Sequence, residues 1–339
     1  MKYVKKLSSV EEIKQKYPLS ESLCKKRLER IKEIQNILSG IDRRKLLFIG
    51  PCSADREDAV LEYCRRLAEI EKNVKDKLLI VPRVYTSKPR TKGTGYKGML
   101  HRPNPLSEHD DLEKGIIASR TMHLHVIQET GLFCVDEMLY PETLEYFSDL
   151  LIYVAIGARS VEDQFHRLTA SGLELPVGMK NPMDGNLSVL LNSIEAAQHE
   201  QSLIYRGWVV NTVGNPYAHA ILRGYSNRYG KTNPNYHYED LCSFYDMYRK
   251  SSLKNMSVII DCNHGNSNKN ADEQIRVAND VVNSMKFNAS LYTFIKGFMV
   301  ESYLVDGKQM VGGGVYGKSI TDACIGWEKT EKLIDALLK

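Results

Sequence analysis

Val258-Ile259-Ile260-Asp261-Cys262-Asn263-His264-Gly265-Asn266-Ser267 is a short apolar run that stops at a histidine ringed by small and polar residues. A buried strand ending this way puts an imidazole at the mouth of something. The same arrangement recurs in both directions along the chain. Leu46-Leu47-Phe48-Ile49 stops at Gly50-Pro51-Cys52-Ser53, and Leu78-Leu79-Ile80-Val81 stops near Arg83. Leu132-Phe133-Cys134-Val135 runs into Asp136-Glu137, and Tyr153-Val154-Ala155-Ile156 into Gly157-Ala158-Arg159. Pro176-Val177-Gly178-Met179 ends at Lys180, Trp208-Val209-Val210 at Asn211-Thr212, and Phe298-Met299-Val300 at Glu301. None alternates cleanly, as expected of strands buried on both faces.

Helical patterns fill the gaps. Asp55 reads as an N-cap with Val60, Cys64, Leu67 and Ile70 facing inward, and Pro141 opens a helix to Leu150. Further helices are expected to end near Glu129, over 160–171, 186–199 and 271–286, before Lys250, and from Ser319 to Leu338. Eight strand–helix units predict a single (β/α)8 barrel, residues 46–339. Residues 1–45 read as an N-terminal helical extension, with Leu28, Ile31, Ile34 and Leu38 on one face and Gly40 as a stop. It could pack on the body or on a partner subunit. A doubly wound open sheet is the alternative, but it calls for a Gly-rich turn after the first strand, and Gly50-Pro51-Cys52-Ser53 is not one.

A net charge of +4 over 339 residues gives no reason to expect nucleic acid as a partner. Seven cysteines without a CxxC pair fit neither a disulfide framework nor a zinc ribbon, so a reducing, cytoplasmic setting is expected. No signal peptide, membrane span or membrane partner is expected.

The strand ends divide by chemistry. Cys52, His264 and Glu301 offer a thiolate, an imidazole and a carboxylate, and Asp322 is a candidate fourth ligand. That donor set suits a borderline divalent ion such as Mn, Fe, Co, Zn or Cu better than Mg or Ca. Arg83, Arg159, Lys180 and Arg223, with Lys88-Pro89-Arg90-Thr91 in a long loop, form a cationic group suited to phosphates and carboxylates. Together they describe a metal-dependent barrel enzyme for small phosphorylated substrates. Charge and spacing alone leave condensation, phosphate transfer and hydrolysis open.

The ordered motifs Gly50-Pro51-Cys52-Ser53, Arg83-Val84-Tyr85, Lys88-Pro89-Arg90-Thr91, Gly157-Ala158-Arg159, Pro176 to Lys180, Ile221-Leu222-Arg223-Gly224, Asp261 to His264, Met299 to Ser302 and Gly317 to Cys324 narrow the choice. Over residues 45–339 the chain resembles the type I 3-deoxy-D-arabino-heptulosonate 7-phosphate (DAHP) synthases, in the branch regulated by aromatic amino acids. The resemblance implies a transferase that condenses phosphoenolpyruvate with erythrose 4-phosphate to DAHP and phosphate, the first step of the shikimate pathway. It implies a divalent metal (Mn, Fe, Co or Zn) on Cys52, His264, Glu301 and Asp322. It places phosphoenolpyruvate on Arg83, Lys88, Arg159, Lys180 and Arg223, and the sugar phosphate group on Arg90 and Thr91. Lys88 is expected to protonate the alkoxide and Glu137 to orient water, beside His264 in the catalytic group. A homodimer or homotetramer is implied.

Two alternatives accompany this reading: the related synthase that uses arabinose 5-phosphate, and a non-catalytic barrel. Against the regulated branch, the segment from Gln198 to Asn211 looks shortened and the arm is short. Weak or absent inhibition by Phe, Tyr or Trp is therefore expected.

Overall fold

The computed structural model describes residues 1–90 and 92–338, so Thr91 and Lys339 lie outside it. Eight parallel strands form the body: β1 (Lys45–Gly50), β2 (Leu78–Pro82), β3 (Val135–Glu137), β4 (Tyr153–Ile156), β5 (Val177–Lys180), β6 (Ala218–Leu222), β7 (Val258–Asp261) and β8 (Ile295–Glu301). Each pairs with its neighbour in sequence, and β1 also pairs with β8. A parallel bridge from Arg83 to Val135 joins β2 to β3 and closes the ring. This is the (β/α)8 barrel expected. Nearly every strand residue is buried, which is why the strands read as unbroken apolar runs.

Four expectations about elements are corrected. The sixth barrel strand is Ala218–Leu222, not Trp208-Val209-Val210. The latter belongs to an antiparallel hairpin, Ser202–Tyr205 with Trp208–Asn211, turned by Arg206 (φ 50°) and Gly207 (φ 82°). Both turn residues have positive φ, the geometry of a two-residue type I′ connection. The segment that looked shortened therefore still builds a complete hairpin. The third strand is Val135–Glu137, three residues later than its apolar run. Asp55 caps no helix: the helix Glu57–Val74 starts after Arg56, and the Asp55 carboxylate instead accepts a 3.0 Å hydrogen bond from Tyr303.

The last helix spans only Trp327–Leu337. Residues 318–325 form short strand pairings on either side of a bend at 320–322 instead. Lys318–Ser319 pairs with Val305–Lys308, Cys324 bridges Gly307, and Ile325 bridges Ser302. That pairing draws Asp322 to the barrel rim.

The N-terminal helices, Val10–Lys16 and Glu21–Ser39, pack on their own barrel. Val10 and Ile13 bury against Leu100, Ile116, Tyr146 and Phe147. Arg27 donates to the carbonyls of Leu151 and Ser148 at 2.7 Å each. Ser20 caps the second helix, and Gly40, at φ 81°, ends it as the expected stop. No described helix is long and apolar enough to cross a membrane.

Candidate active site

The site is built where β8 meets β1. In register, Gly50 faces Glu301, and the Arg83 amide donates to the Ile49 carbonyl at 2.9 Å. Only glycine fits at 50, because a Cβ there would stand 2.3 Å from the Arg83 carbonyl oxygen. Three strand ends therefore converge within a few ångströms. Their side chains are Cys52, Arg83 and Glu301, all buried.

Cys52, Glu301 and Asp322 each turn one donor atom inward, and these three atoms lie within 4.8 Å of one another. His264 stands beside them, its Nε2 3.8 Å from Glu301 Oε1. The other ring nitrogen, Nδ1, lies 2.9 Å from Asp261 Oδ2, in ion-pair contact but off the hydrogen-bond direction. Burial lowers the pKa of His264, which favours the neutral ring that a metal requires. Asn263 Nδ2 donates to Glu301 Oε2 at 2.5 Å, and Arg83 Nη2 lies 3.0 Å from Glu301 Oε1. Burial raises the Glu301 pKa, but charges beside it, Arg83 first and Lys88 among them, outweigh it and lower the carboxyl overall. A sulfur, an imidazole and two carboxylates at this separation fit a borderline divalent cation.

Lys88 enters the same cluster, with Nζ 2.7 Å from Cys52 Sγ and 3.1 Å from Asp322 Oδ2. Burial pulls its pKa down, yet Cys52, Glu301 and Asp322 pull it up by more, so its ammonium holds its proton. Burial and the Glu301 charge push the Cys52 thiol up to about 11. Ionising that sulfur at neutral pH therefore requires a cation stronger than the lysine.

Above this cluster opens a cleft of 280 Å³. Arg83, Lys88, Arg90, Arg159, Lys180 and Arg223 all line it, together with Glu137, His264 and Asp322. The structure thus brings together every predicted site residue that it describes, with Cys52 and Glu301 buried beneath. Thr91 is outside the described residues.

The cations are positioned by their surroundings. Lys180 Nζ is 3.2 Å from Asp261 Oδ2, so Asp261 sits between the lysine and His264. The Arg223 amide donates to Asn181 Oδ1, and Asn181 Nδ2 donates to the Gly224 carbonyl. Arg90 is anchored by a 2.7 Å bond from Nε to the Tyr96 carbonyl. The long loop is tied at its root by Asp136, which accepts from the Thr86 amide and hydroxyl at 3.0 and 2.6 Å. Glu137 has room because residue 157 is glycine; a Cβ there would come 2.5 Å from its Oε1.

Sequence reading missed Tyr85, whose ring lies 3.9 Å from the Arg83 guanidinium carbon. It also missed the asparagines that fix Arg223, since a polar residue after a strand carries no distinguishing signal.

The family model of the DAHP synthetase I family matches residues 20–335. The chain belongs to the DAHP synthetase I family. It is 39% identical over 345 residues to the Phe-sensitive phospho-2-dehydro-3-deoxyheptonate aldolase of Escherichia coli K12, covering 99% of this chain and 95% of that one. It is 36% identical over 342 residues to the Trp-sensitive aldolase of Escherichia coli O157:H7, covering 98% and 94%. The solved phospho-2-dehydro-3-deoxyheptonate aldolase of Francisella tularensis SCHU S4 superposes with a TM-score of 0.92 at 34% identity, covering 99% and 97%.

Proposed function

We propose that this cleft is where phosphoenolpyruvate and erythrose 4-phosphate are joined to give DAHP and phosphate, the product for which the family is named. One observation carries the reading. A buried arginine with two donor nitrogens left over, Arg83, stands directly against a triangle of metal-type donors, the buried Cys52 and Glu301 and the half-buried Asp322.

In this reading Cys52, His264, Glu301 and Asp322 hold a divalent ion (Mn, Fe, Co or Zn). When bound, the ion supplies Lewis acidity toward the aldehyde. Arg83, Lys180, Arg159 and Arg223 bind and orient phosphoenolpyruvate through its carboxylate and phosphate. Arg90 and Thr91 take the phosphate of the sugar. The enol carbon C3 attacks the aldehyde carbon and forms the new C–C bond. Lys88, which holds its proton, gives it to the oxygen that becomes a hydroxyl. Water, oriented by Glu137, adds its oxygen to the cationic C2 and loses a proton to solvent. The C2–O bond to phosphate then breaks, phosphate leaving with the electron pair as the C2 hydroxyl loses its proton and becomes the ketone.

The exposed apolar side chains of the hairpin, Ile204, Trp208 and Val209, support assembly as a homodimer or homotetramer. Seven free thiols support a reducing, cytoplasmic setting. The arm over 1–45 and the barrel over 46–339 are read as one folded unit, because arm residues complete the packing of the barrel's outer helices.

The test is phosphate release from protein of known metal content. Release is expected only with both substrates and only with metal, with arabinose 5-phosphate a poor replacement. Cys52→Ala should lose metal and turnover together. A fully active, metal-replete Cys52→Ala protein would sink the assignment.

A further inference from the structure

Backbone strain among the described residues concentrates in one loop. Five described non-glycine residues have positive φ, and three of them lie within six positions: His264 (53°), Asn268 (51°) and Lys269 (60°). Each left-handed residue of this kind costs about 1 kcal/mol, so the loop must be held by its surroundings. The Lys269 amide donates to the His264 carbonyl at 2.8 Å, and the Gly265 amide to the Arg223 carbonyl at 2.9 Å. Asn266 fastens the middle through its side chain, donating to the carbonyls of Asp261 and Leu222 at 2.8 and 3.2 Å. The result is a reversal that returns Lys269 to the wall of the cleft beside His264 and Asp322.

The cations of the cleft fall into two tiers. Arg83, Lys180 and Arg223 form an inner tier, 2%, 3% and 7% exposed. Arg90, half-buried, and Lys269, exposed, stand at the outside. Lys269 makes no ion pair with any described carboxylate, while its backbone is held in a costly shape. A solvated surface lysine needs no such shape.

We infer that Lys269 is a substrate-binding residue that holds the terminal phosphate of the aldose phosphate, together with Arg90. This rests on the reaction proposed above and deepens it. The inner tier takes the carboxylate and phosphate of the enol substrate, and the outer tier reads the second anion. Because Lys269 is hydrogen-bonded through its backbone to His264, one loop would meet the aldose at both of its ends.

The test compares Lys269→Met, Lys269→Arg and the unaltered enzyme, each with matched metal content by elemental analysis. Substrates are erythrose 4-phosphate and unphosphorylated erythrose, with phosphoenolpyruvate saturating. In Lys269→Met, KM for erythrose 4-phosphate should rise tenfold or more. kcat and KM for phosphoenolpyruvate should stay within twofold, and kcat/KM for erythrose should equal that of the unaltered enzyme. Lys269→Arg should recover most of the loss. An unchanged KM for erythrose 4-phosphate overturns the inference, as does an equal loss toward both aldoses or loss of metal with turnover. If the unaltered enzyme does not condense erythrose 4-phosphate at all, it is the proposed reaction that fails.

Discussion

Arg83 and Arg120 are both buried, 2% and 0% exposed, and they do opposite things. Arg120 is fully enclosed on the outside of the barrel. It donates to the Tyr17 and Tyr146 carbonyls at 2.9 and 2.8 Å and forks onto Asp149 at 2.7 and 2.8 Å. It ties the N-terminal arm to the body. Arg83, at the rim, touches Glu301 and the Cys52 carbonyl with Nη2 alone, while its Nε and Nη1 find no hydrogen-bond partner. No other described side chain leaves two buried polar atoms in this state. A buried charge is tolerated only when its donors are used. Where the fold uses all of them the residue is scaffold, and where it leaves two pointing into a cleft the residue is set for an anion.

The same contrast separates the barrel interior from its mouth. Tyr153 donates to His219 Nε2 at 2.8 Å, and His219 Nδ1 donates to the Tyr217 carbonyl at 2.8 Å. A Cβ at Gly178 would collide with the Tyr153 hydroxyl at 1.9 Å, so the glycine makes room for the pair. Every polar atom of that histidine is used. His264, by contrast, keeps Nε2 for a ligand.

The strongest way to break the comparison is to truncate both arginines. Arg83→Ala is expected to lower kcat/KM by about 10³-fold or more with the fold retained, since the lost donors face substrate. Arg120→Ala is expected to cost about 3 kcal/mol of stability in urea unfolding while kcat/KM at 25 °C is kept. The figure is at the low end for a broken buried pair because Asp149 is 32% exposed. If the two variants exchanged phenotypes, the distinction between scaffold and site would be wrong.

His219 sharpens the interior half. Burial lowers its pKa to about 4, below the unfolded value near 6.5. The neutral form is the one the fold favours. Its contribution is therefore present above pH 6.5 and lost as pH falls toward 4. Between pH 7.5 and 4.5 the unaltered protein should lose about 2.5 kcal/mol more stability than His219→Gln. Equal losses in the two proteins would remove the histidine from the account.

Asp261 tests the mouth. Asp261→Asn should weaken metal binding by about 10- to 100-fold in chelator competition, because the residue beside His264 Nδ1 orients the ring. Unchanged affinity would mean that His264 is held by other groups.

Most of this architecture was legible because strands buried on both faces announce themselves as apolar runs. The sixth strand did not. Its sequence, Ala218-His219-Ala220-Ile221-Leu222, carries two alanines and a histidine, while Trp208-Val209-Val210 looks far more strand-like. The hairpin is indeed strand, but exposed and outside the barrel; pattern alone does not say which sheet a strand joins. Asp322 reads from the sequence as a candidate ligand at a helix start, yet it lies in a bend between two short strand pairings. Its placement depends on pairing with residues 302–308, and no local pattern encodes that. The left-handed turn at Lys269 was invisible for a related reason: neither asparagine nor lysine is required there, and the loop is held by contacts to Leu222 and Arg223 at the end of another strand.

Cys52 and Asp322 are 270 positions apart, and they meet because β1 pairs with β8. The donors thus lie across the seam where the first and last strands of the barrel join. During synthesis that seam is the last contact to form, since contacts of great sequence separation must wait for the chain that carries them. A chain still emerging from the ribosome can hold Cys52 only as an ordinary thiol. If these donors hold the proposed ion, its acquisition would be a post-synthetic event, and a cation bridging the seam would act as a clasp on a barrel already closed.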